Sequence, residues 1–204
     1  MFTINTSQWG RFGALILFLC FASLLGLHFR PPLDIPTIPK LFDPDLIDLQ
    51  IREAPKDAKI VFLGDSLTER WRFREQLWES SFPGAANLGV GGSRTANMLW
   101  LVNSGKLSVF NPEFFVVAIG SNDLRGGPIR FFDRRRPSLA QVEAGERMIS
   151  DSLKGQFPAA KVIMMPIPGA EDLTGDGVHL TDRGYERWAR QLNAELKGSN
   201  LAAN

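Results

Sequence analysis

Four short apolar runs constrain this chain more than any other feature. They are "KIVFLG" from Lys59, "AANLGV" from Ala85, "FFVVAIG" from Phe114 and "KVIMMPI" from Lys161. Each is six or seven residues long; the first has the pattern of a strand buried on both faces, the third is the strongest strand and "AANLGV" a weaker one. Between them lie stretches of helical length: "TERWRFREQLWESSF", "SRTANMLWLVNSG" and "SLAQVEAGERMISDSLKGQF". Ser138 and Gln141 begin the third as a capping box. A final helix is predicted over "TDRGYERWARQLNAELKG", with Tyr185, Trp188, Ala189, Leu192 and Leu196 on one face and Gly198 as its stop. Strands alternating with helices imply a largely parallel sheet covered by helices on both sides.

The N-terminus has a different character. Residues 12–29 read "FGALILFLCFASLLGLHF", flanked by Arg11 and Arg30. That is close to the roughly 18–20 apolar residues that span a bilayer. An uncleaved membrane anchor is the leading reading. A cleaved signal peptide and a buried core helix compete with it. "Cys20-Phe21-Ala22" is a poor cleavage site, and the bulky Leu19 before Cys20 makes a poor lipoprotein signal. Cys20 and His28 are then side chains facing lipid or its interface. Arg11 lies on one side, Arg30 and Lys40 on the other, so charge alone orients the segment weakly. Pro31, Pro32, Pro36, Pro39 and Pro44 follow, a spacing that reads as an extended spacer, and "DLIDLQIREA" after them is readable as a short helix. The expected organisation is a tail over residues 1–11, an anchor over 12–29, a Pro-rich linker over 30–57, a catalytic domain over 58–198 and a tail over 199–204. The domain is expected outside the cytoplasm, held by a single pass or secreted after cleavage.

Composition narrows the function. The chain has 204 residues, 44% of them apolar, and a formal net charge of +1. That suits one packed domain with an extension, and it gives no argument for a nucleic-acid partner. A single cysteine rules out an intrachain disulfide framework.

In open α/β sheets, ligands bind at the carboxyl ends of the strands. Gly64-Asp65-Ser66 follows the first strand, and Gly91-Gly92 the second. Gly120-Ser121-Asn122-Asp123 follows the third, and Asp176-Gly177-Val178-His179 precedes the last helix. Together they supply a hydroxyl nucleophile, backbone donors, a side-chain amide and an Asp/His pair, the parts of an acyl-transfer site. If a histidine activates Ser66 it is His179, the one imidazole outside residues 12–29, with Asp176 placed to orient it. Each element alone also has a bland reading. Gly-Asp-Ser is a common turn, Gly91-Gly92 permits a tight turn, and Asn122-Asp123 suits a helix cap. The case rests on their joint occurrence in this order.

These motifs resemble the SGNH hydrolases, also called GDSL esterases/lipases. "GDSLTERW" is similar to the family's first block, "NLGVGGSRTANMLW" to the second, "IGSND" to the third and "DGVHLTDRGYERW" to the last. The flavour of the first three blocks resembles the branch that includes platelet-activating-factor acetylhydrolase-like esterases. The resemblance covers about residues 58–197. It implies a three-layer α/β/α flavodoxin-like fold with strand order 2-1-3-4-5. It also implies Ser66 as nucleophile, with Asp176 and His179 completing a triad. The Ser66 and Gly92 N–H groups and the Asn122 amide become the oxyanion hole. No cofactor or metal is required. A Gly-x-Ser-x-Gly elbow of the α/β-hydrolase type is absent, since Leu67 and Thr68 follow Ser66.

Two departures stand out. Ser93 occupies a position where the branch often has aspartate. The path from the fourth strand to Asp176 is short for the usual further helix and strand, so a sheet of four strands is expected, with five as the alternative. That shortening bears directly on how Asp176 and His179 reach Ser66. The segment "DLRGGPIRFFDRRRPS" carries Arg125, Arg130, Arg134, Arg135 and Arg136. It reads either as a rim attracting an anionic substrate or as a solvated loop before Ser138. The expected function is a membrane-tethered esterase acting on a small-acyl ester, an acetyl ester foremost, of a glycan or lipid. An O-acyltransferase with the same triad and a non-catalytic binding protein of the same fold are the alternatives.

Overall fold

The computed structural model describes residues 44–125 and 137–201. All of them fall in one compact unit, residues 35–204. Residues 12–29, read above as a membrane anchor, lie outside the described residues. Among the described residues no helix is long and apolar enough to cross a membrane.

The four apolar runs form β1 (Ile60–Gly64), β2 (Ala86–Gly89), β3 (Phe114–Ala118) and β4 (Lys161–Met164). All pairings are parallel, in the order β2-β1-β3-β4. This is the expected 2-1-3-4 order, with four strands among the described residues. β1 and β3 are central and buried along nearly their whole length, which accounts for their unbroken apolar sequences.

Alternate side chains of each strand point to opposite layers. Val61, Leu63, Phe115 and Val117 pack with α1 (Pro44–Glu53), α4 (Thr95–Asn103) and α6 (Leu139–Gln156). Phe62, Phe114, Val116 and Ala118 face the other layer. That layer contains Trp78 and Phe82, on and just after α3 (Glu75–Ser81), and Tyr185, Trp188, Leu192 and Leu196 of α7 (Asp182–Leu201). Three layers result, with the strand ends Gly64, Gly89 and Ala118 in register at one edge.

Three sequence expectations need correction. The short helix read in "DLIDLQIREA" forms as Pro44–Glu53, and it packs against the domain although the linker was drawn over residues 30–57. Ile47 and Ile51, one turn apart, are buried, and the Gln50 side-chain amide donates to Gly89 O at 3.0 Å. Pro44 sits at the first helical position, where its missing N–H costs nothing, so it opens this helix. The domain therefore begins at least 14 residues before the Ala58 assigned to it.

The helix expected over residues 68–82 is instead three pieces: α2 (Ser66–Glu69), a 3₁₀ turn (Arg70–Phe73) and α3. The break at Arg74 is held by tertiary contacts. Its guanidinium lies 4.0 Å from the Tyr185 ring centroid and pairs with Asp182 at 2.7 Å. Lastly, α7 passes through Gly198 to Leu201, so the glycine does not end it. The Ser138–Gln141 capping box forms as expected and starts α6.

Candidate active site

Ser66 is presented by a tight exit from β1. A side chain at Gly64 would collide with the Thr68 hydroxyl and the Ala118 carbonyl, so only glycine fits there. Asp65 caps the short helix α2, its Oδ1 accepting from Leu67 N at 2.9 Å. Ser66 is then the first helical residue, whose N–H has no acceptor within the helix. Tyr185 braces the turn from below, its hydroxyl donating to Leu67 O at 2.8 Å.

The shortened connection does deliver the histidine. After β4 the chain makes a 3₁₀ turn (Ala170–Asp172), and Leu173 and Leu180 form an antiparallel bridge. Thr174 N donates to His179 O at 2.7 Å, and Thr181 N to Asp172 O at 2.8 Å. These bonds close a loop that carries Asp176 and His179 at its tip, with Leu173 and Leu180 packed in the core beneath. An edge strand is unnecessary when the loop is anchored this way.

His179 Nε2 lies 3.1 Å from Ser66 Oγ, and Nδ1 lies 2.7 Å from Asp176 Oδ2. The other carboxylate oxygen, Oδ1, accepts from Thr174 Oγ1 (2.7 Å), Val178 N (2.8 Å) and His179 N (3.0 Å). The His179 ring, the backbone N–H groups and the Thr174 hydroxyl hold the Asp176 carboxyl well below the usual carboxylate range. An ionised carboxylate only accepts hydrogen bonds, so Nδ1 must carry the proton. In the neutral ring Nε2 is then the acceptor, and it faces the serine hydroxyl.

The second-block loop is a tight turn in which Ser93 N donates to Val90 O at 3.2 Å. Gly92 has φ +77°, the left-handed conformation that the third residue of a type II turn requires. Its N–H makes no bond to another described residue. Asn122 Nδ2 donates to Ser93 O at 2.9 Å and to Asp65 Oδ2 at 3.2 Å. Both amide N–H groups are thus engaged at rest.

The geometry therefore gathers Ser66, His179, Asp176, Gly92 and Asn122 at one edge of the sheet. Residues 62–201, more than half of the chain, match the model of the GDSL-like lipase/acylhydrolase family. The chain belongs to that family. Among its relatives, human (Homo sapiens) platelet-activating factor acetylhydrolase IB subunit alpha1 is 29% identical over 112 residues, 54% of this chain and 43% of that protein. The alpha2 subunit of Rattus norvegicus is 26% identical over 112 residues, 54% and 44% respectively. The chain spans less than half the length of these curated relatives. A solved structure of similar shape is Axe2, an acetylxylan esterase from Geobacillus stearothermophilus. Its TM-score is 0.44 at 20% identity, covering 69% of this chain and 73% of that one.

Beside the family motifs lie supports that the sequence reading missed. Asn122-Asp123 had, as its bland reading, the cap of a following helix; Asp123 itself lies in a short helix, α5 (Ser121–Arg125). Its carboxylate instead accepts from Thr95 N (3.0 Å) and Thr95 Oγ1 (3.1 Å), capping α4 from 28 residues away. Burial pushes the Asp123 carboxyl above its ordinary value, opposed by the Thr95 bonds and the Arg94 charge. Asn122 and Asp123 together clasp Ser93 and Thr95, the residues that follow Gly92. Thr174 and Asp65 were likewise missed. Their only sequence signal was a polar residue two or one places from a motif carboxylate or serine.

Of the arginine rim, Arg130, Arg134, Arg135 and Arg136 lie outside the described residues, and Arg125 closes α5. Among the described residues no three His, Cys, Asp or Glu side chains converge as a metal-holding group.

Asp123→Ala removes both acceptor oxygens and leaves Thr95 N and Thr95 Oγ1 without their partner. We expect kcat to fall about 10–100-fold while KM stays within about twofold, the signature of a misplaced oxyanion loop. Steady-state kinetics on a short acetyl ester checks it.

Proposed function

We propose that the chain is a serine esterase that hydrolyses small-acyl esters, acetyl esters foremost, of glycans or lipids through Ser66, His179 and Asp176. Residues 12–29 tether it to a membrane. The observation that carries the reading is the continuous Ser66–His179–Asp176 hydrogen-bond chain, with an acceptor nitrogen aimed at the serine hydroxyl. The membership of the GDSL-like lipase/acylhydrolase family and the likeness to acetylhydrolase subunits support the acyl chemistry.

The chemistry follows from the atoms in place. Ser66 Oγ attacks the ester carbonyl as its proton passes to His179 Nε2. The imidazolium is stabilised by Asp176. The oxyanion forms near the Ser66 and Gly92 N–H groups and draws the Asn122 amide away from Asp65. Collapse breaks the bond to the alcohol, which takes the proton back from His179. Water then attacks the acyl-serine with His179 again as base, releasing the acid and regenerating Ser66.

Asn122→Ala removes one oxyanion donor, and kcat is expected to fall about 10²–10³-fold. The folded variant should still react with a fluorophosphonate more slowly than wild type. The deciding experiment is fluorophosphonate labelling of the wild-type chain followed by peptide mass mapping. Probe mass on the peptide containing Ser66 is expected. A folded protein that takes no label overturns the esterase reading in favour of a non-catalytic binding protein.

A further inference from the structure

Gly91 and Gly92 are adjacent, yet only Gly92 has a backbone conformation that calls for glycine. A Cβ built on Gly91 would lie 2.7 Å from Glu69 Oε2 and 3.9 Å from Ser66 Cβ. The absent side chain makes room for a carboxylate directly beside the nucleophile. Glu69 ends the one-turn helix that Ser66 begins, and residues three apart share a helix face. Its side chain is half-buried, while Gly91 and Gly92 are exposed, so the carboxylate overlooks an open floor. The motif carboxylates Asp65, Asp123 and Asp176 all have partners. Asp65 accepts from Leu67 and Asn122, Asp123 from Thr95, and Asp176 from His179 and three further donors. The Glu69 carboxylate has no hydrogen-bond or ion-pair partner among the described residues, and its lone pairs remain available to a ligand.

We propose that Glu69 is a substrate-recognition residue whose carboxylate accepts hydrogen bonds from free hydroxyls on the alcohol part of the ester. The proposal rests on Ser66 being the nucleophile. A carboxylate one turn away from it meets the alcohol side of an ester held over Gly91. It accepts two hydroxyls at once, which suits the vicinal diols of a saccharide. It repels a carboxylate or phosphate close to the scissile bond, the opposite of the preference read from the arginine-rich segment. Esters of sugars are therefore favoured over simple aryl esters, and both over esters of anionic alcohols.

The test measures kcat/KM of the full chain for three probes: a monoacetylated methyl glucoside, p-nitrophenyl acetate and a monoacetylated glucuronate. In Glu69→Ala the glucoside-to-aryl ratio is expected to fall about 10–100-fold, as for loss of a hydrogen bond to a charged group. The glucuronate-to-glucoside ratio should rise. Glu69→Gln keeps one acceptor oxygen and should fall between. Gly91→Ala displaces the carboxylate without removing it, and should shift the ratios in the same direction. An unaltered glucoside-to-aryl ratio in Glu69→Ala overturns the proposal. Equal losses on all three probes assign Glu69 a merely structural role and overturn it too. So does a wild-type preference for glucuronate. Aryl-acetate hydrolysis that survives Ser66→Ala is a separate failure, because it removes the nucleophile itself.

Discussion

Asp176→Asn is expected to lower kcat by about 10⁴ while leaving the fold intact. The site's own hydrogen bonds dictate this result. The Oδ1 position of residue 176 faces three donors, the Thr174 hydroxyl and the N–H groups of Val178 and His179. An amide placed there must turn its oxygen toward those donors. Its NH₂ group then points at His179 Nδ1, which becomes an acceptor, so the neutral ring carries its proton on Nε2. That proton faces Ser66 Oγ, and the base is lost without any side chain leaving its place. Measured kcat on a short acetyl ester checks the magnitude, and circular dichroism checks the fold. A loss of less than tenfold would mean that the ring tautomer is not set by residue 176.

Ser66→Ala is expected to cost about 10⁶ in kcat and to abolish fluorophosphonate labelling. The hydroxyl is half-buried and its one carbon separates it from a turn that other residues hold. Asp65, Gly64 and Tyr185 form that turn, so the alanine variant should fold as wild type does. The residual rate reports what backbone donors and binding achieve alone. His179→Ala should fall to a similar level, and the double variant no lower, because the two residues act as one unit. Activity of either single variant near wild type would refute the triad. The comparison of single and double variants needs only one substrate and a stability check by urea unfolding.

Much of the fold was legible in the residues. A strand covered on both faces must be apolar at every position, and "FFVVAIG" and "KIVFLG" satisfy that locally. The Ser138 capping box is likewise local, a pairing across three residues. The misreadings were of another kind. The short helix after Pro44 was legible, but Pro44 was placed in the linker, and only the structure shows Ile47 and Ile51 packed in the core with that proline harmless at the first helical position. The segment after Ser66 has helical composition throughout, and the break at Arg74 comes from its contacts with Tyr185 and Asp182 on α7. No local preference encodes a partner more than a hundred residues away.

The candidate site divides in the same way. From the sequence alone came the residue types, their order and the single available imidazole, because chemistry limits which side chains can form an acyl-transfer site. Whether they meet was a matter of tertiary structure. Ser66 and His179 are 113 residues apart, and their contact depends on the Leu173–Leu180 bridge that pins a shortened loop to the core. The resting engagement of Asn122 with Asp65, the grip of Asp123 on Thr95 and the place of Glu69 over Gly91 are contacts between separate elements. Such contacts follow from how packed layers bring strand ends together, and spacing along the chain carries no record of them.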